Sequence, residues 1–268
     1  MKKIRKIYRI LFPINTTGIP YFENQLANNS NIKSFQKTAD FLYEITLNSN
    51  KKIYLRNQNH SDYEVFKQIF NFEEYRIILN LITLNTLNDS TNIIIDAGAN
   101  VGYTTVYFKE NLINTKIYAV EPSQSNAEIF YKNTKSYLAE NIKLYINALS
   151  DEKDKLFIIK QDFRDGKDWS ISTAETKNGQ IKGITIDEII SENNLEYITF
   201  LKIDIEGAER FIFKKENQLS FLKITKIIAL EIHDEFNIRT TINQLLAEHN
   251  FILFEAGELT IGINKTFF

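Results

Sequence analysis

Four side chains able to hold or move a proton sit at the ends of two apolar runs. In "ITFLKIDIEG" the run stops at Asp204 and Glu206, and in "IIALEIH" it stops at Glu231 and His233. Side chains two residues apart on a strand share a face, so Glu231 lies with His233, and Asp204 with Glu206 if the strand persists that far. On neighbouring strands, these carboxylates and the imidazole would converge at one sheet edge. So much like charge repels itself unless a cation, a proton or a donor-rich substrate sits among it. Two chemistries fit. In one, His233 or Asp204 takes the proton from a weakly nucleophilic hydroxyl. In the other, Asp204, Glu231 and His233 hold a divalent metal such as Mg, which orients vicinal hydroxyls and lowers the pKa of one of them. The plain alternative is structural, with Glu231 and His233 pairing with Lys202 or capping a helix.

A second constellation lies upstream, in "IIIDAGANVGYTTVYF". Apolar residues run into Asp96, then Gly98, Ala99, Asn100 and Gly102 make a tight turn that opens a helix. Gly98 permits close backbone approach and Gly102 lets the helix pack tightly. The turn lacks the middle glycine of G-x-G-x-x-G and the lysine of a Walker A loop, so pyrophosphate and nucleoside triphosphate ligands are poorly served. The next apolar run, "KIYAVEP", ends at Glu121 and Pro122. An acidic group at that strand end is placed to accept both hydroxyls of a ribose, a unit shared by NAD and S-adenosylmethionine.

Elements must bring these residues together. Strand patterns near 92–97, 116–121, 142–147, 199–204, 226–232, 251–255 and 259–264 alternate with helix patterns near 103–112, 124–138, 185–192, 207–215 and 239–249. Such alternation predicts an α/β fold with a mostly parallel, doubly covered sheet, and Gly257 between the last two strands predicts an antiparallel hairpin at one edge. Ligands of such sheets lie at the carboxyl ends of the strands, beside the first. Upstream, Val65, Phe66, Ile69, Phe70, Ile77, Ile78 and Leu81 recur at helical spacing in two pieces, with Ser61 and Glu64 fitting a capping box. Residues 1–55 read as a partly helical extension, and 56–268 as the main domain. The insert 155–184 predicts a small hairpin or flap over the ligand-binding edge, with Phe163 and Trp169 as candidate substrate or sheet contacts.

Bulk composition narrows the chemistry. The chain has 268 residues, 43% hydrophobic and 25% charged, an ordinary globular balance. A formal net charge of −2, with no long basic stripe, argues against nucleic acid as partner. The absence of cysteine excludes disulfides, thiolate zinc sites, iron–sulfur clusters and thiol nucleophiles. The start, "MKKIRKIYRILFPINTTG", is basic, but Arg9 and Pro13 interrupt it too soon for a signal peptide or membrane span. We therefore expect a cytoplasmic protein without stable membrane insertion. Its basic start reads as a solvated helix face or, more sharply, as peripheral contact with the inner membrane surface.

With these residues in hand, "IIDAGANVGYTTVYF", "IYAVEPSQSNAEIFYKN", "INALSDE", "ITIDEII", "FLKIDIEGAERFIF" and "ALEIHDEF", in this order, resemble the FkbM family of S-adenosylmethionine-dependent methyltransferases. The resemblance spans about 93–236. It implies a class I, Rossmann-like methyltransferase fold with a seven-stranded sheet, and O-methylation of sugar or natural-product hydroxyls. It further implies that Asp96, Gly98 and Asn100 face the methionine part of the cofactor and Glu121 the ribose. Asn147, Ala148 and Leu149 would flank the adenine, and Asp204 would open the reaction cleft. The expected partner is a carbohydrate or other hydroxyl-bearing small molecule, with a homo-oligomer compatible. Two competing readings are a NAD(P)-dependent Rossmann oxidoreductase and a non-catalytic cofactor-binding module.

Overall fold

The structure, a computed structural model, describes residues 18–85, 90–137, 139–160 and 172–268. The basic start and the pair Phe163 and Trp169 lie outside the described residues. Two compact units divide the chain, Met1–Glu64 and Val65–Phe268.

In the first unit, helix α1 (Ile19–Ala27) carries a proline in its first turn, where no amide hydrogen is needed, and buries Phe22 and Leu26. Strands β1 (Ile32–Ala39), β2 (Leu42–Leu47) and β3 (Lys52–Arg56) follow as an antiparallel meander. The stretch read as a partly helical extension thus holds a sheet as well as a helix. Phe22 stands edge-on to both Tyr43 and Tyr63, which closes a small core. Arg56 grips Asp62 through Nε and Nη2 at 2.7–3.1 Å, with both side chains buried. That pair starts helix α2 (Asp62–Phe66) and replaces the expected capping box. Ser61 Oγ has no hydrogen-bond partner, and the Glu64 amide donates instead to the Ser61 carbonyl at 2.9 Å.

The second unit begins with a π-helical turn, Lys67–Asn71, and α3 (Arg76–Asn85). Then come β4 (Asn92–Ala97), α4 (Tyr103–Asn111), β5 (Thr115–Val120), α5 (Gln124–Thr134), β6 (Ile142–Tyr145) and the short β7 (Ala148–Leu149). The insert folds as β8 (Leu156–Lys160), β9 (Ser172–Glu175) and β10 (Ile181–Ile184), paired in the order β7-β10-β8-β9. The chain closes with α6 (Ile186–Asn193), β11 (Ile198–Ile203), α7 (Glu209–Ile212), β12 (Thr225–Glu231), α8 (Arg239–Glu248), β13 (Phe251–Ala256) and β14 (Leu259–Asn264).

Seven strands make the main sheet in the order β13-β14-β12-β11-β4-β5-β6. β4 lies parallel to both β5 and β11, and β14 runs antiparallel to β12 and β13. This is the expected class I methyltransferase architecture, with the predicted hairpin at one edge. Strand order reverses at β4, so the ends of β4, β5 and β11 border one crevice. Every residue of β4 and β11 is buried, as sheets covered on both faces require. None of the described helices is long and apolar enough to cross a membrane.

Candidate active site

At the carboxyl ends of these strands opens a cavity of about 620 Å³. Its walls include Gly98, Ala99 and Asn100 after β4, Glu121 and Pro122 after β5, and Ala148 and Leu149 of β7. Asp204 and Glu206 after β11, with Glu231 and His233 at the end of β12, line the same space. Eleven of the residues singled out by sequence therefore meet in one place. Asp96, Gly102 and Asn147 are not on its wall. Asp96 is buried beneath the floor, Gly102 packs against Phe130 of α5, and the Asn147 side chain donates to the Lys182 carbonyl at 3.1 Å.

Glu121 is held by three donors. Its Oε2 accepts the Asn100 amide at 2.9 Å, and its Oε1 accepts the Ser123 amide at 2.9 Å and Asn126 Nδ2 at 3.1 Å. Burial pushes its carboxyl up to about 7, and these donors offset only part of the shift. The group is thereby fixed in direction and poised to gain from further hydroxyl donors.

At the cavity floor stands a residue that the sequence suggested only as a possible partner for Glu231 and His233. Lys202, buried in β11, donates to the Gly98 carbonyl at 2.7 Å and stands 3.4 Å from both Asp96 Oδ1 and Asp204 Oδ2. Burial works against its charge, but the two aspartates outweigh that and raise its pKa. Lys202 therefore ties the turn after β4 to the carboxylate after β11. A lysine within an otherwise apolar strand was the available signal.

The second cation is His233, whose side chain is 1% exposed. Its Nδ1 lies 3.3 Å from Glu209 Oε2, and its Nε2 lies 3.3 Å from Glu206 Oε2 and 3.8 Å from Glu231 Oε1. Glu209 is fully buried, and its other oxygen accepts the Ile205 amide at 3.1 Å. Burial would lower the imidazole pKa, but Glu206 and Glu209 dominate and lift it to about 10. Glu231 is raised to about 9, first by the charge of Asp204 and then by burial. Glu74, unanticipated on this wall, is pushed to about 7 by burial and by Asp204. The repulsion expected among these carboxylates is thus relieved by Lys202, His233 and retained protons.

Both the His233 and the Glu231 shifts have the same sign for stability. A group whose folded pKa exceeds its unfolded value stabilises fully below the unfolded pKa and loses that contribution as pH rises through the folded one. The melting temperature of the cofactor-free protein is therefore expected to fall between about pH 7 and about pH 10. A flat or rising profile in thermal scans would contradict the protonated cluster.

Strand geometry ends earlier than expected, because β11 stops at Ile203 and Glu206 adopts φ 53. The left-handed turn still delivers Glu206 to the cavity, at a conformational cost typical of functional turns. The metal reading does not fit. Among the described residues no group of three or more His, Cys, Asp or Glu is arranged to hold an ion, and both nitrogens of His233 already face carboxylates. Of the insert, Thr173 reaches the cavity wall.

A family model described as "Methyltransferase FkbM domain" matches residues 96–256. A curated protein, "Methyltransferase 1" of Beauveria bassiana, is 25% identical over an alignment covering 45% of this chain and 57% of that protein. The chain thus spans little more than half the length of that relative. An rRNA methylase from Streptococcus thermophilus aligns at 9% identity and a TM-score of 0.43, covering 71% of this chain and 96% of that one. TrmK of M. capricolum, in complex with S-adenosylhomocysteine, aligns at 15% identity and a TM-score of 0.37, covering 70% and 68%. These two likenesses concern the fold alone.

Proposed function

Because this chain belongs to the FkbM methyltransferase family, we propose that it transfers the methyl group of S-adenosylmethionine to a hydroxyl oxygen of a carbohydrate, such as a nucleotide sugar or a surface-glycan precursor. The observation that carries the hydroxyl reading is the set of carboxyl groups Asp204, Glu206 and Glu231 on one wall of the cavity. An ionised carboxyl group only accepts hydrogen bonds and a protonated one both donates and accepts, and hydroxyls can serve either. The strand end also reads "DIEG" rather than an Asn-Pro-Pro-Tyr-like tetrapeptide suited to amide or nucleobase nitrogen. The family match removes the grounds for the oxidoreductase alternative.

In this reading Glu121 receives the ribose hydroxyls, Ala148 and Leu149 flank the adenine, and the turn Gly98–Asn100 takes the methionine end. The bound cofactor supplies a methyl carbon already activated by its sulfonium. The acceptor oxygen bonds to that carbon as the carbon–sulfur bond breaks, and the electron pair goes to sulfur. The hydroxyl proton, strongly acidic once oxygen bears the new bond, passes to the carboxylate of Asp204, which a weak base can accomplish at that stage. Most of the acceleration then comes from holding oxygen, carbon and sulfur in line.

The test joins a binding and a product measurement. Glu121→Ala is expected to weaken S-adenosylhomocysteine binding by roughly 100-fold in calorimetry, the worth of two hydrogen bonds to a charged group. Near-UV circular dichroism should be unchanged. Incubation of the intact protein with nucleotide sugars and labelled S-adenosylmethionine should yield an O-methyl ether by mass spectrometry and NMR. Methyl found only on nitrogen or carbon would sink the hydroxyl assignment, and unaltered affinity in the variant would remove the ribose role of Glu121.

A further inference from the structure

Histidine near a methyl-transfer cleft invites assignment as the proton acceptor, but the surroundings of His233 oppose it. Both ring nitrogens face carboxylates at 3.3 Å, and the ring is 1% exposed. From the turn after β11 comes Glu206, from α7 comes Glu209, and from β12 comes Glu231. Asp234 follows directly in the chain but is engaged by Arg239 at 2.7 and 2.8 Å. Asp204 and Glu258 add negative charge behind Glu231, and Lys202, the nearby cation, is engaged by Asp96, Asp204 and the Gly98 carbonyl.

We propose that His233 is a positioning residue, a permanently protonated imidazole that clamps Glu206 and Glu231 into the cavity and does not exchange a proton with the acceptor. Each ring nitrogen lies within ion-pair distance, 3.3 Å, of a carboxylate on a different element, so the charged ring holds the end of β12 to the left-handed turn at Glu206 and to α7. Deprotonation would leave four buried or half-buried acidic groups, Asp204, Glu206, Glu209 and Glu231, around a neutral ring. Burial alone would favour the neutral imidazole, and the paired carboxylates reverse that preference. The role rests on reading this cavity as the methyl-transfer site, although the protonation state is measurable without any turnover.

The direct experiment is a pH titration of the full chain labelled with ¹⁵N-histidine. The chain has three histidines, and His233→Gln assigns the third set of ring signals by its loss. His233 is expected to keep both ring nitrogens protonated from about pH 6 to about pH 8.5, where an ordinary histidine with a pKa of about 6.5 would have titrated. A neutral tautomer at pH 7, or a midpoint near that ordinary value, would overturn the proposal. Once an acceptor is in hand, kinetics give a second readout. If His233 only positions, His233→Gln lowers kcat by about tenfold or more while the acid limb of the kcat profile stays in place. If the limb vanishes with the imidazole, His233 is the base and the assignment fails. Retained binding of S-adenosylhomocysteine shows that the variant is folded, and should it not fold, the titration of the wild-type chain still decides. Failure to methylate any hydroxyl would sink the functional reading and leave the protonation result standing on its own.

Discussion

Replacing Gly98 by alanine is expected to lower the melting temperature by roughly 8–16 °C. A Cβ at this position would lie 1.7 Å from the carbonyl oxygen of Asp204, and the residue sits at φ +86. The neighbour is backbone, fixed by the Asp204 amide donating to the Ala97 carbonyl at 3.1 Å, so no side chain can swing aside. The left-handed conformation alone costs an alanine about 1–2 kcal/mol, and forced displacement of a packed strand end adds about 1–3 kcal/mol. A combined loss of about 4 kcal/mol corresponds to a drop of roughly 8–16 °C in melting temperature for a domain of this size. Thermal unfolding followed by circular dichroism checks it. A variant melting within about 2 °C of the wild type would show that the two strand ends can separate freely. The glycine is needed, first of all, for one strand end to pass the other, and in the proposed reading the cofactor would profit from a floor laid that close.

Removing the charge at that floor should cost nearly as much. Lys202→Met leaves Asp96 buried beside an apolar side chain and takes the donor from the Gly98 carbonyl. Breaking a buried pair on one side typically destabilises by about 3–5 kcal/mol, because the surviving charge stays dehydrated. Adding Asp96→Asn removes that orphaned charge, and the double variant is expected to recover more than half of the loss. The Thr105 hydroxyl, now donating to Asp96 Oδ2 at 3.1 Å, can serve the amide oxygen as well. Denaturant titrations of the wild type, both single variants and the double variant close the cycle. Additive losses would mean that the two residues do not act as a pair. S-adenosylhomocysteine affinity should fall in Lys202→Met even where the protein remains folded, since the turn after β4 loses its tether.

The strands of the main sheet were legible because both faces are covered. "NIIID" and "ITFLKI" are apolar without alternation, and observed boundaries fall within a residue or two of the expected ones. The turn chemistry at Gly98, Gly102 and Gly257 was equally plain. Residues 32–39 were not legible: in "IKSFQKTA" most side chains are exposed, so no period of two survives in the hydrophobicity. The capping box at Ser61 and Glu64 misled because the competing partner of Asp62, Arg56, belongs to a strand that local patterning did not disclose.

At the site, the acidic strand ends were found by position, but their charge states were not. Those depend on who faces whom across strands distant in sequence. Glu209 read as one more helix residue, and Lys202 as a stray charge in an apolar run. Adjacency of β11 and β12 makes the one a counter-ion for His233, and adjacency of β4 and β11 makes the other a tether for Gly98. Among the described residues no metal-holding group is found, and of the carboxylates that might have ligated an ion Asp204 is engaged by Lys202 while Glu206 and Glu231 face the imidazole.

The adjacency of β4 and β11 also governs when the site can exist. Beside the backbone ladder, three side-chain bonds stitch β4 to β11 and its approach: the Ile93 amide to Thr199 Oγ1, the Tyr197 hydroxyl to the Thr91 carbonyl, and Lys202 Nζ to the Gly98 carbonyl. Their partners lie 104 to 106 residues apart in the chain. Pairings between such distant segments form late and slowly, because a long loop must close before the contacts reward it. During synthesis, β4, β5 and β6 leave the ribosome with the edge of β4 bare, and its natural cover has yet to be made. A growing chain can fashion the glycine turn and the glutamate after β5, but it lacks the floor that holds them. The ligand-binding crevice is therefore among the last parts of the protein to mature, and the half-built sheet is the stage most exposed to mispairing with another copy.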